Sequence, residues 1–343
     1  MFVSAYIHPK WFEDDPDLHY LKQIGVDHLG LRLDILPGYQ EEGIVPKADL
    51  EAFVERLARI GLKVERLVAT GPSNPSQAPD VDEEIDKLCR IVEMAGALGI
   101  PVIEPDTPSL LRANIQASYM APYFFHGQYA GRLIDPNLPG WDERRGRGGY
   151  VFPAFRLTLE HTRPVPQAEE TREMLWEELL HAYRQLIPVA ESAKVRLVKH
   201  GADPPLPTFN GHAQILYCYA DFDRLFREVP SPNNGMTFCT GTRYESGEDL
   251  LEGIRHFGSQ GRIHYVHFRN VRGTLPRDNG YEERMIDDGD IDMMAVVRTL
   301  HEVGYQGALD YDHVVRTHGE SFIGRQSAAF SAGYIQGLLA GLG

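Results

Sequence analysis

Short apolar runs of strand length alternate with amphipathic stretches of helical period along most of the chain. The runs at 2–8 (FVSAYIH), 28–34 (HLGLRLD), 63–69 (KVERLVA), 101–106 (PVIEPD), 195–200 (VRLVKH), 235–241 (GMTFCTG), 264–270 (HYVHFRN) and 308–314 (ALDYDHV) read as strands. Between and after them, helical patterns occupy 49–61, 82–99, 170–193, 246–258, 290–304 and 323–342. Several of these end on glycine, which takes the left-handed backbone of a helix C-terminus at low cost. Repeated β-then-α units of this kind predict an α/β protein, a single (β/α)8 TIM barrel over 1–343. A doubly wound open sheet is the alternative, but no G-x-G-x-x-G follows the first strand to favour it.

The rhythm breaks once, after the fourth strand. From about 107 to 167 the chain is rich in Gly and Pro and carries Tyr119, Tyr123, Phe124, Phe125, His126, Tyr129 and Trp141. A connection this long is functional or disordered in most compact domains, and its aromatic content argues for order. It follows a strand, so it belongs to the barrel face on which active sites are built. It reads as a lid over a site, or as a loop packed against its counterpart in another subunit.

Charge and cysteine content narrow the partners. The formal net charge is −15, from 49 acidic and 34 basic residues, and the one basic run, RRGRGG at 144–149, reads as an exposed loop. Nothing there neutralises a phosphate backbone or an anionic membrane, so neither is an expected partner. Three scattered cysteines do not make a disulfide framework, the N-terminus does not read as a signal peptide, and no apolar run reaches the ~18 residues of a membrane span. The expected setting is a cytoplasmic homo-oligomer.

The last four predicted strands finish on residues with ligand chemistry: His200, Cys239, His267 and the pair Asp312-His313. Barrel strands converge at their C-terminal ends, so these residues share one face. Two imidazoles, a thiolate and a carboxylate form a four-ligand set for one divalent transition metal. Taken singly, each has a plainer reading: a strand cysteine packs as a small hydrophobe, and a histidine can cap a strand end. In HYVHFRN, His267 shares a strand face with Tyr265 and Arg269, and inward charge is costly unless it is paired or used. His264 lies on the other face and reads as structural. Glu104 and Asp106 end the fourth strand and are open to roles as ligands, substrate contacts or lid anchors.

At these residues the chain resembles the mannonate dehydratase family of the xylose-isomerase-like barrels. The matching segments, over roughly 195–340, are HGADPP (200–205), GMTFCTG (235–241), RIHYVHFRNV (262–271), DGDIDM (288–293), Asp312-His313 and YIQGL (334–338). The resemblance implies a manganese- or iron-type site, one divalent ion per chain with cobalt as a further alternative, held by His200, Cys239, His267 and Asp312. It also implies that Arg269 grips a substrate carboxylate and that His313 transfers protons. The family reaction is loss of water from D-mannonate to give 2-keto-3-deoxy-D-gluconate. The chain departs from the family pattern with Ala5-Tyr6 on the first strand, Asp34-Ile35 after the second, Val314 after the Asp-His pair, and HGESFIGRQ (318–326) where a tyrosine is usual. Tyr6, His8, Tyr119, Tyr123, His126 and Tyr129 are the candidates for the second acid and for substrate contact, with the lid residues favoured. The expected function is therefore metal-dependent dehydration of a sugar acid. A divalent-metal sugar or sugar-acid isomerase or epimerase is the alternative, followed by a non-catalytic sugar-acid binding protein.

Overall fold

A computed structural model describes residues 1–6, 9–12, 15–69, 80–106, 144–145, 147, 151–152, 154–157, 159, 161, 164–313, 315, 317, 319–320 and 324–342. Eight parallel strands close into a barrel: β1 (Phe2–Tyr6), β2 (His28–Arg32), β3 (Lys63–Ala69), β4 (Val102–Pro105), β5 (Arg196–Lys199), β6 (Asn234–Cys239), β7 (Ile263–His267) and β8 (Ala308–Asp310). Each strand pairs with its sequence neighbours, and β8 closes the ring on β1. Eight main helices follow them: α1 (Asp15–Gln23), α2 (Lys47–Ile60), α3 (Val81–Ala97), α4 (Ala168–Ala193), α5 (Tyr219–Glu228), α6 (Leu250–Ser259), α7 (Met293–Glu302) and α8 (Arg325–Ala340). The expected barrel is present, with α1 and α5 as helices that the periodicity reading did not single out. The lid residues 107–143 and His8 lie outside the described residues.

Local chemistry sets the helix ends. Asp80, Asp249 and Asp292 each accept a hydrogen bond from a first-turn backbone N–H, of Glu83, Glu252 and Ala295. Apolar stripes on the helices then bury against the barrel, as Ile85, Leu88, Ile91, Val92 and Ala95 do on α3. α3 and α4 approach closely at Gly96, where a Cβ would meet the Ala193 carbonyl oxygen at 2.5 Å.

Inside the barrel the packing is polar as well as apolar. Tyr265 Oη donates to Asp310 Oδ2 at 2.6 Å and lies 2.9 Å from Ser4 Oγ, while the Arg66 guanidinium sits 4.2 Å from the Tyr265 ring centroid. The other Asp310 oxygen accepts the backbone N–H groups of Tyr6 and Asp312. One buried carboxylate thus ties the top of β1 to the chain leaving β8.

Three strands end earlier than their apolar runs suggest, at Cys239, His267 and Asp310. After His267 the chain leaves the barrel, and Asn270–Arg272 pairs antiparallel with Gly280–Arg284, which in turn pairs with Ala154–Arg156. This small sheet stands beside the strand ends. Arg269 therefore lies in the turn between barrel and sheet, outside β7.

Two predictions test this packing. Gly96→Ala normally favours a helix by about 1 kcal/mol; here the clash with Ala193 should reverse the sign and destabilise by about 1–3 kcal/mol, read by urea unfolding. His264 is buried, with Nδ1 3.3 Å from the Leu197 carbonyl and Nε2 3.1 Å from that of Gly261. Burial, with Arg196 and Arg262 nearby, pulls it from 6.5 down to about 4. A value depressed in the fold means stability that is complete above 6.5 and is lost as pH falls toward 4. Relative to His264→Gln, the wild type should lose about 2 kcal/mol between pH 7 and pH 5. An unchanged difference would contradict the burial of a neutral imidazole.

Candidate metal centre

The barrel register sets the candidate ligands side by side. Cys239, the last residue of β6, pairs with His267, the last of β7, and His267 pairs with Asp310 of β8. His200 follows β5 directly, and its ring centroid lies 5.1 Å from that of His267. One ligand atom each of His200, Cys239 and His267 lies within 4.8 Å of the others. Asp312 joins through its Oδ2, 3.4 Å from His267 Nδ1. Three of the four expected ligands, His200, Cys239 and His267, are therefore brought together, and Asp312 lies against His267 at the edge of that cluster.

The donors are turned toward one another by their surroundings. His200 Nδ1 lies 2.6 Å from the Gly201 carbonyl oxygen, so Nδ1–H donates there and Nε2 is left for the cluster. Cys239 caps a short helix, Thr240–Glu245: its Sγ accepts from the Thr242 backbone N at 3.4 Å and from Arg269 Nε at 3.3 Å. Burial opposes ionisation of this thiol, but Arg269 and His200 outweigh it and pull Cys239 down to about 7. Burial likewise opposes charge on His200, yet the Cys239 sulfur pushes it up to about 9. Buried imidazole, thiolate and carboxylate donors in this arrangement suit a divalent transition metal. Acidic and cationic groups crowd together here. Asp203, Glu245, Glu283, Cys239 and Asp312 surround one guanidinium, and burial pushes Glu245 well above the usual carboxylate range.

Asp312 and His313 follow β8 through a left-handed residue, Asp312 at φ 48°. Alternation along a strand would send the two side chains to opposite faces. The bend, fixed by the Asp312 N–H to Asp310 Oδ1 bond, lets both reach the same site. His313 Nδ1 lies 2.9 Å from Glu283 Oε1, and its Nε2 3.5 Å from Asp312 Oδ2. Burial works against the imidazolium, but Asp312 and Glu283 dominate and raise His313 to about 10.

Arg269 is placed differently from the expectation that it grips a substrate carboxylate. Its side chain is 1% exposed, and all five of its N–H groups have partners within the chain. Nε donates to Cys239 Sγ; Nη1 donates to Glu245 Oε1 at 2.7 Å and Glu283 Oε1 at 2.9 Å. Nη2 donates to Asp203 Oδ2 at 2.9 Å and Thr242 Oγ1 at 3.0 Å. In this arrangement no donor is left over for a ligand.

Among the remaining candidates, Tyr6 ends β1 beside Arg32 and Arg66, and burial, the leading cause, raises its hydroxyl far above the ordinary range. Tyr119, Tyr123, His126, Tyr129 and His8 lie outside the described residues. Glu104 Oε2 accepts from Arg66 Nη1 and from Thr237 Oγ1, both at 3.0 Å. It braces the floor of the site and is not one of the three clustered ligand residues. Arg66, whose Nη1 lies 2.8 Å from His267 Nε2, was not singled out from sequence, nor were Asp203, Thr242, Glu245 and Glu283. All five residues of GYEER (280–284), Glu283 among them, are buried.

Similarity to known proteins agrees with this geometry. The family model described as D-mannonate dehydratase (UxuA) matches residues 127–342. Mannonate dehydratase of Thermotoga maritima is 33% identical over 351 residues, covering 96% of this chain and 95% of that protein. Mannonate dehydratase 2 of Halalkalibacterium halodurans is 32% identical over 205 residues, a stretch covering 59% of this chain and 56% of that protein. Among solved structures, mannonate dehydratase from Streptococcus suis serotype 2 shares the fold with a TM-score of 0.75 at 24% identity, over 98% of this chain and 92% of that one. A xylose isomerase domain protein from Alicyclobacillus acidocaldarius shares it at a TM-score of 0.61 and 16% identity, over 99% and 98%. On the extent of these matches, the chain belongs to the mannonate dehydratase family, a family of sugar-acid hydro-lyases.

Proposed function

We propose that this chain removes water from D-mannonate or a close relative to give a 2-keto-3-deoxy sugar acid, with one divalent metal held by His200, Cys239, His267 and Asp312. The observation that carries this reading is the cluster of His200, Cys239 and His267 at the strand ends, with Asp312 3.4 Å from His267 and His313 beside Asp312. Family membership favours dehydration over the isomerase, epimerase and binding-protein alternatives. Manganese is the first choice of ion, as the family resemblance implies, with iron or cobalt as alternatives; the thiolate and imidazole donors by themselves favour no manganese.

A metal bound there would supply the positive charge that stabilises the carboxylate end of the substrate as the α-proton leaves. The chain's own residues supply position and protons. Glu283 accepts from His313 Nδ1, which fixes the ring and leaves Nε2 as the edge for proton transfer. As the imidazolium, His313 can donate from Nε2 to the departing β-hydroxyl, which leaves as water. Asp312, one residue before it, keeps that edge next to the ligand set.

The direct test is NMR of the manganese-loaded protein incubated with a panel of aldonic acids and ketoses. A 2-keto-3-deoxy product from a sugar acid is expected; an isomer, or no change across the panel, would contradict the reading. Two variants separate the roles. Cys239→Ser should lose its metal on dialysis and its turnover with it, while the circular dichroism spectrum stays that of the wild type. His313→Asn should keep its metal, by elemental analysis, and lose about 10²–10⁴-fold in kcat. Full activity of either variant would remove that residue from its assigned role.

A further inference from the structure

We propose that Arg269 is a positioning residue that fixes the Cys239 sulfur and, through Glu283, the His313 ring, and that it does not bind the substrate. The five donors of a guanidinium lie in one plane, and here each meets an acceptor on a different segment or a different atom of the site wall. Asp203 belongs to the loop after β5, Thr242 and Glu245 to the short helix after β6, and Glu283 to the small sheet beyond β7. One planar group therefore holds three consecutive strand-end connections in a single arrangement.

The packing is shaped for this guanidinium. A Cβ on Gly241 would lie 2.4 Å from Arg269 Cζ and from Nη1, so only glycine admits the side chain at that point. Tyr281 Oη donates to the free oxygen of Asp203 at 3.0 Å, and Thr242 Oγ1 lies 3.2 Å from both Asp203 Oδ2 and Cys239 Sγ. Glu283 Oε1 is shared: it accepts from Arg269 Nη1 and from His313 Nδ1, each at 2.9 Å. The thiolate side of the cluster and the proton-transferring histidine are thus joined through one carboxylate and one guanidinium. A lysine keeps the charge, but its three donors on one nitrogen cannot serve five acceptors in a plane.

The test uses the full-length protein loaded with Co2+, whose sulfur-to-cobalt charge-transfer absorption reports the Cys239 contact without turnover. Steady-state kinetics on D-mannonate, which rest on the proposed dehydration, form the second arm. Arg269→Lys should shift or weaken the charge-transfer band and lower kcat at least tenfold, with KM within about threefold of wild type, as for an interaction not made with the ground-state substrate. Glu283→Gln should leave the band unchanged and lower kcat at least tenfold, again with little change in KM. Arg269→Lys with an unchanged band and a tenfold or larger rise in KM would overturn the proposal and restore Arg269 as a substrate contact. Unchanged kcat in Glu283→Gln would overturn the link to His313. If Arg269→Lys does not fold, Thr242→Val removes only the hydroxyl between Arg269 and the sulfur; it should shift the band, and an unchanged band counts against the proposal. A wild type that turns over no sugar acid refutes the proposed reaction and leaves the cobalt arm intact.

Discussion

The parallel register of the second half of the barrel is the constraint on which the site depends. Because Cys239 pairs with His267 and His267 with Asp310, side chains of three adjacent strands arrive at one height. Hydrogen bonds of the ladder enforce that alignment more rigidly than a loop can. His200 follows the neighbouring strand, and the bend at Asp312 brings the last carboxylate back over the same point. A slip of one residue in any of these pairings would turn a ligand away from the cluster.

Below the cluster the barrel is filled by a polar layer that has to be satisfied for the strands to close. Asp310, Tyr265 and Ser4 hydrogen-bond in series there under the Arg66 guanidinium, and Asp310 spends its second oxygen on backbone groups of Tyr6 and Asp312. The same aspartate thus closes β8 against β1 and shapes the turn that carries Asp312 and His313. Folding and site geometry share this group, so weakening it would affect both. Beside the cluster, Asp203, Glu245 and Glu283 face the Arg269 guanidinium, and His313 faces Glu283 and Asp312.

Much of this was legible in the residue pattern. Alternating apolar runs and helical stretches identify all eight strands, and the strand-end positions of His200, Cys239, His267 and Asp312 follow from counting along them. The setting of Arg269 was not legible, because strand alternation presumes that β7 continues past His267. The chain instead turns out at Phe268, whose N–H bonds to the Asp310 carbonyl at 2.6 Å, and Arg269 then points into a wall of acids. Those acids were missed for a related reason. Glu283 sits in GYEER, whose charge density suggests solvent, and only its antiparallel pairing with 270–272 and 154–156 buries it.

The central claim is that strand-end imidazole, thiolate and carboxylate groups form one mixed-donor metal site. X-ray absorption at the K-edge of the bound metal tests it most directly. One sulfur scatterer is expected outside a nearer shell of nitrogen and oxygen scatterers, the sulfur shell disappearing in Cys239→Ser. A first shell made of oxygen alone, unchanged by that substitution, would contradict it.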